Sequence, residues 1–115
     1  QAKLPSCSSQ ELANSVWALA KLGHYPGDMF LGAMVEEAKT KVPSFNSQAL
    51  ANSLWAFAKL GYDPGDNFLS AVVEESNSKL SSFNSQALAN SLWSLAKLDY
   101  NPGDKFVSIL LEKAQ

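Results

Sequence analysis

The feature that most constrains the fold of this chain is a repetition with a period of 38 residues. Residues 45–66 return almost unchanged as residues 83–104, and the first part of the chain holds a looser copy. Gln10, Gln48 and Gln86 mark the register, because 38 residues separate each from the next with no insertion. A unit of this length is one supersecondary element that cannot bury its apolar face alone and must stack on its neighbours.

This register divides the whole chain into units. We expect residues 1–6 to end a preceding repeat, followed by repeats at 7–44, 45–82 and 83–115, of which the last is truncated. The predicted fold class is all-α, a single continuous α-solenoid of stacked two-helix repeats, in the form of a right-handed superhelix fragment. We expect the chain to be part of a longer array.

The first helix of each unit has clear start and stop signals. In the second unit, Asn46 is predicted to cap a helix over residues 47–60. Gly61 then ends it, because the residue after a helix often adopts a positive φ that glycine tolerates best. Asp99 takes the place of this glycine in the third unit.

The second helix is predicted to follow at once. Asp63 is its expected N-cap, Pro64 its first residue and Ser78 its approximate end, and the third unit repeats the start with Asn101 and Pro102. No strand pattern is present. We expect the helix to bury Phe68, Leu69, Val72 and Val73 and to expose Glu74, Glu75 and Asn77.

The first helix of the second unit divides into sectors when its residues are placed at intervals of about 100°. Its large apolar side chains share the side that faces the second helix of the same unit: Leu50, Leu54 and Phe57. Two alanine flanks face opposite ways and suit contact with the neighbouring units: Ala49 with Ala56, and Ala51 with Ala58. An arc of about 60° then remains free of packing partners.

We refer to this free arc on the three first helices as the polar strip. It comprises Gln10, Asn14, Trp17, Lys21, Gln48, Asn52, Trp55, Lys59, Gln86, Asn90, Trp93 and Lys97. Solenoids bind extended ligands on such repeated surfaces. Amides can bond base edges or peptide groups, lysine can meet phosphate, and tryptophan can stack on a base.

Packing between units competes with ligand binding for some strip residues. Trp17, Trp55 and Trp93 border an alanine flank, and their size favours burial between units. Asn52 suits either ligand contact or a bond to a neighbouring carbonyl that fixes the stacking register. Lys59 recurs in all copies while acidic residues gather in the second helices, so the strip is predicted to be locally basic.

The overall charge favours a different class of ligand. The chain has a net charge of −2, with nine lysines and no arginine, unlike the usual strong nucleic-acid binder. A protein-binding scaffold, whose amides hold an extended peptide, is therefore an open alternative to single-stranded RNA binding. Charge placement matters more than its sum, and both partners stay open.

Signs of catalysis are lacking. His24 is alone in a turn, and Tyr62 and Tyr100 occupy its position in the other units, which argues against a base or metal ligand. Cys7 is the only cysteine, so a disulfide or multi-cysteine metal site within the chain is excluded, and a small buried hydrophobe is expected. We expect no enzyme activity, cofactor, metal, small-molecule substrate or membrane contact.

The sequence Leu-Ala-Asn-Ser-Leu-Trp-Ala-Phe-Ala-Lys-Leu-Gly at residues 50–61, the 38-residue period and the Pro-Gly-Asp-Asn-Phe segment at 64–68 resemble the octotricopeptide repeat family. The resemblance covers the whole chain. It implies paired helices stacked into a superhelix that acts on organellar RNA, in the chloroplast or the mitochondrion, in transcript stability, processing or translation. Some members of that family are instead structural parts of algal mitochondrial ribosomes, which keeps a structural subunit as the alternative.

Overall fold

The structure is a computed structural model that describes residues 8–113. Cys7 and the expected repeat end at 1–6 lie outside these residues. Over the described part the chain is all-α, without a strand, and none of its helices is long and apolar enough to cross a membrane. The helices are α1 (Ser9–Leu22), α2 (Asp28–Lys39), α3 (Ser47–Leu60), α4 (Asp66–Ser78), α5 (Ser85–Lys97) and α6 (Asp104–Lys113), with short 3₁₀ turns at Val42–Ser44 and Leu80–Ser82 before α3 and α5.

The first helices begin and end where their capping residues predict. Asn46 caps α3 by accepting a hydrogen bond from the backbone N–H of Ala49 at 2.8 Å. Gly61 follows α3 with φ 72°, and Asp99 adopts φ 62° at the corresponding place after α5. The predicted bounds of α3 are therefore confirmed, and the aspartate accepts the backbone conformation that glycine has in the other units.

The predicted start of the second helices is wrong by two residues. α4 begins at Asp66 and not at Pro64, because the Asp63 carboxylate accepts from the N–H of Gly65 at 2.9 Å and so closes a turn ahead of the helix. Gly65 has φ 97°, which is outside the helical region. Asn101 makes the same turn in the third unit, and α6 begins at Asp104.

The predicted burial along α4 is confirmed for its apolar residues and for Glu74, which is exposed. Glu75 and Asn77, which we expected on the surface, are half-buried instead. The reason for Glu75 is its ion pair with Lys79, at 2.9 Å, since Lys79 is itself held against the loop before α3. Helical periodicity alone does not predict this partner, because Lys79 lies outside α4.

Helices at corresponding places in the repeat pack on one another. α3 packs between α1 and α5, α4 packs against α2 and α6, and each first helix also contacts the second helix of its own unit. The alanine flanks lie in these contacts, since Ala49, Ala51, Ala56 and Ala58 are at most 4% exposed. The handedness of the stack stays a prediction.

Polar bonds also join successive units. The Lys79 ammonium, just after α4, donates to the carbonyl of Pro43 in the preceding unit at 3.0 Å, and to that of Phe45, in the same loop but in its own unit, at 2.6 Å. The hydroxyls of Tyr100 and Ser70, which belong to the third and second units, are 2.9 Å apart. These bonds fix how one unit sits on the next and so fix the spacing of the polar strip.

Candidate functional site

The packing of α1, α3 and α5 places the polar strip of each helix beside that of the next. Among its amide and lysine side chains, Asn52 is half-buried and the others are exposed: Gln10, Asn14, Lys21, Gln48, Lys59, Gln86, Asn90 and Lys97. Strip residues of the three first helices come together at two places, a groove and a pair of tryptophan rings. Lys59, Trp93 and Lys97 are not part of either place, and they belong to the strip through their position in the repeat.

A groove of about 250 Å³ lies between α3 and α5 on this side of the protein. It is lined by Trp17, Gln48, Ala51, Asn52, Asn84, Gln86, Ala87 and Asn90. Five of these residues carry amides, so the groove offers both donors and acceptors of hydrogen bonds. Groups with flat polar edges, such as nucleobases and peptide units, suit such a lining.

On α1 and α3, the amide side chains of the strip are hydrogen-bonded within their own helix. Gln10 donates to the Asn14 side chain at 3.2 Å, and Gln48 donates to the Asn52 side chain at 3.3 Å. Both pairs are four residues apart and so lie on one helix face. Asn52 therefore has a partner in its own helix, and the bond to a neighbouring unit that would fix the register is not made within residues 8–113.

An aromatic and cationic cluster lies where α1 meets α3. The rings of Trp17 and Trp55 are 6.5 Å apart between centroids and tilted by 40°. The Lys21 ammonium is 5.6 Å from the first ring centroid and 5.9 Å from the second, within the range of a cation–π contact. Trp55 is half-buried between units, whereas Trp17 and Trp93 are 38% and 47% exposed. These two rings retain surface on which a ligand can stack.

In the described part of the chain, the lysines of the strip are not paired with carboxylates. Within residues 8–113, Lys21, Lys59 and Lys97 form no ion pair. The ion pairs of the described part belong to the second helices and the loops that follow them: Lys39 with Glu36, Lys41 with Glu37, and Lys79 with Glu75. A lysine without a carboxylate partner thus recurs at the same position of α1, α3 and α5, although the chain is acidic overall.

One titratable group outside the strip has a shifted pKa. The Tyr25 hydroxyl donates to the Asp28 carboxylate at the turn before α2, which raises the pKa of Tyr25 to about 12. The cause is that this hydrogen bond, together with a smaller effect of burial and the charge of Asp28, favours the neutral phenol. Tyr25 therefore stays uncharged near neutral pH and adds no charge to the site.

Sequence reasoning missed two parts of this site. Asn84 lines the groove although its place in the repeat is that of the cap residue Asn46, and it does cap α5 by accepting from Ala87 N–H at 2.7 Å. The contact of Lys21 with Trp17 could have been found from their spacing of four residues. Its contact with Trp55 could not, because it depends on how the two helices are offset.

The comparison with protein families assigns the chain to a family. Residues 1–114 match the family described as the Tbc2 translation factor, N-terminal domain. The chain belongs to this family. No curated protein matches the chain. The match covers nearly all of the sequence, including all three copies of the polar strip, so the strip is part of a domain whose family is named for translation.

Proposed function

We propose that this domain is an RNA-binding helical-repeat module of an organellar post-transcriptional factor that acts in transcript stability, processing or translation. The observation that carries the proposal is the line of unpaired lysines beside exposed tryptophans and an amide groove on the first helices. The family, described by a translation factor, supports a role of this kind. The ligand would be single-stranded RNA.

The lysines of the strip supply the contacts to phosphate. Lys59 and Lys97 occupy the same position of successive stacked helices, so their ammonium groups can follow a backbone that runs along the stack. Both are exposed and without a carboxylate partner among residues 8–113. Attraction of this type is independent of sequence and depends on salt.

The amides and tryptophans supply the contacts to bases. A base can stack on the exposed part of Trp17 or Trp93, as bases do on aromatic side chains in single-strand binders. Another can place its polar edge in the groove between Asn52 and Asn90. Because each unit carries the same four strip residues, we propose a generic grip on RNA and not a code that differs between units.

The finer family assignment and the location in the cell belong to this proposal. The 38-residue period and the run at residues 50–61 support an octotricopeptide type of repeat. That resemblance is the support for a chloroplast or mitochondrial location. Import of a fluorescent fusion of the full-length protein into either organelle would support it, and a fusion that stays in the cytosol would contradict it.

The experiment that tests RNA binding compares two double variants with equal charge. Lys59→Glu/Lys97→Glu and Lys39→Glu/Lys105→Glu each lower the net charge from −2 to −6. All four lysines lie in helices, where Lys39 is half-buried and the other three are exposed, so both variants should fold. We expect the first variant to lose binding to single-stranded RNA and the second to retain most of it. Equal binding by the two variants would contradict the proposal.

A second candidate function is a protein-binding scaffold or a structural subunit, for example of an organellar ribosome, that uses the same strip for peptide or ribosomal RNA contacts. The amide groove favours it, because paired Gln and Asn side chains can bond the backbone of an extended peptide. The net charge of −2 and the absence of arginine are in its favour as well. A defined partner whose binding survives nuclease treatment and needs Asn52 would support this function over RNA binding.

A further inference from the structure

Trp17 takes part in the groove between α3 and α5 although it belongs to α1. Its side chain is among those that line the groove, together with side chains of the other two helices. Trp93, the other exposed tryptophan of the polar strip, does not line this groove. The groove is therefore built from three successive units, and one exposed aromatic ring is part of its wall.

Two neighbours hold the Trp17 ring in place. The Trp55 ring lies 6.5 Å from it between centroids, and the Lys21 ammonium lies 5.6 Å from the Trp17 centroid. Trp55 is half-buried between the helices and so gives the first ring a fixed support. A ring that is already held in place loses little freedom when a flat group stacks on its exposed part.

The α5 side of the groove offers a pair of amides without partners. Gln86 and Asn90 lie one turn apart, are exposed, and make no side-chain hydrogen bond within residues 8–113. The corresponding pairs on α1 and α3 are bonded to each other instead. Each free amide presents a hydrogen-bond donor beside an acceptor. This arrangement matches the polar edge of an unpaired nucleobase, which also carries a donor beside an acceptor.

The lining of the groove is uncharged, since it consists of tryptophan, alanine, asparagine and glutamine only. Phosphate is bound mainly by cationic side chains, so this lining gives it little attraction. A flat group with a polar edge gains both stacking and hydrogen bonds in the same place. A nucleotide therefore fits the groove with its base inside and its phosphate outside.

We propose that the groove holds one unpaired nucleobase, with its face on Trp17 and its polar edge on Gln86 and Asn90. Stacking on Trp17 and hydrogen bonding in the groove are then contacts to the same base. This inference rests on the proposed RNA binding. A base inside a duplex has its edge bonded to its complement and its faces stacked on its neighbours, so the site selects single strands. All four bases carry a donor beside an acceptor, so it accepts any of them.

Combined substitutions, measured by fluorescence anisotropy with a labelled oligouridine, test whether the ring and the amides contact one base. Trp17→Ala should weaken binding about fivefold or more, the usual loss of one stacked base. Gln86→Ala/Asn90→Ala should weaken it about threefold or more, through the lost hydrogen bonds. In the chain that already carries Trp17→Ala, the amide substitutions should weaken it by less than about twofold further, because the base has left the groove. All three side chains are exposed, so folding is expected to be unchanged.

Trp93→Ala is the matched control, because it removes an exposed tryptophan of the polar strip that does not line the groove. In the chain with this substitution, the amide substitutions should keep their full effect. A ribose-phosphate strand without bases gives a check on the ligand side. Its binding should be weaker than that of the oligouridine, and the amide substitutions should leave it unchanged.

The outcomes separate this inference from the proposed function. If the amide substitutions keep their full effect in the Trp17→Ala chain, the ring and the amides contact different bases, and the inference is overturned while RNA binding stands. The same holds if the amide substitutions weaken binding of the strand without bases as much as that of the oligouridine. If the unaltered chain does not bind the oligouridine, the proposed function and the inference are both overturned.

Discussion

The salt dependence of RNA binding can be predicted from the number of unpaired lysines on the polar strip. Lys21, Lys59 and Lys97 form no ion pair within residues 8–113. Each phosphate that a lysine neutralises on a single strand contributes about −0.7 to the slope of log K against log salt concentration, so three lysines predict a slope of about −2. Raising the salt from about 50 to about 200 mM should then weaken binding about twentyfold.

Removing two of these charges should lower the slope in proportion. Lys59→Gln/Lys97→Gln leaves one strip lysine, for which we expect a slope of about −0.7 and a loss of only about threefold over the same change in salt. The matched control is Lys39→Gln/Lys105→Gln, which changes the net charge by the same amount and should keep the slope of the unaltered domain.

Fluorescence anisotropy of a labelled single-stranded RNA, titrated at several salt concentrations, measures these slopes. The reasoning would be refuted if the control variant lost as much of the slope as the strip variant. It would also be refuted by a slope near zero for the unaltered domain, since the lysines would then make no contact with phosphate.

Three further predictions concern the fold. Asp99→Gly should raise the free energy of unfolding, measured in urea, by about 0.5 to 1 kcal/mol. Asp99 has φ 62°, and a positive φ costs a non-glycine residue about 1 to 2 kcal/mol. The greater freedom of glycine in the unfolded chain offsets part of this gain. Lys79→Met should lower the free energy of unfolding by about 1 to 3 kcal/mol, because the Phe45 carbonyl loses its charged donor. Lys39→Met is the control: it breaks only a surface ion pair and should cost less than about 1 kcal/mol. Asp28→Asn should lower the pKa of Tyr25 from about 12 towards the ordinary 10.0 in an ultraviolet titration, and an unchanged value would contradict the assigned hydrogen bond.

The elements that sequence predicted well are those governed by residues close together in the chain. The bounds of α3 follow from Asn46 and Gly61, which act within one turn of the helix end. The predicted start of α4 was wrong because Asp63 can either cap a helix or close a turn, and Pro64 is compatible with both. The following Gly65 decides for the turn, and the Pro-Gly pair is the signal that could have shown it.

The candidate site divides in the same way. The angular position of the strip depends only on the period of an α-helix, so Gln48, Asn52 and Lys59 could be placed on the free side of α3 from sequence. The groove depends on the offset between α3 and α5, which no spacing within one helix records. For that reason Asn84 was missed as a lining residue.

The central claim is that RNA lies along the first helices, and ultraviolet crosslinking of the domain to single-stranded RNA, with the crosslinked peptides identified by mass spectrometry, tests it most directly. We expect crosslinks in α1, α3 and α5, at or next to Trp17 and Trp93, whose rings are exposed. Crosslinks confined to α2, α4 and α6, or none under conditions where the domain is folded, would contradict the claim.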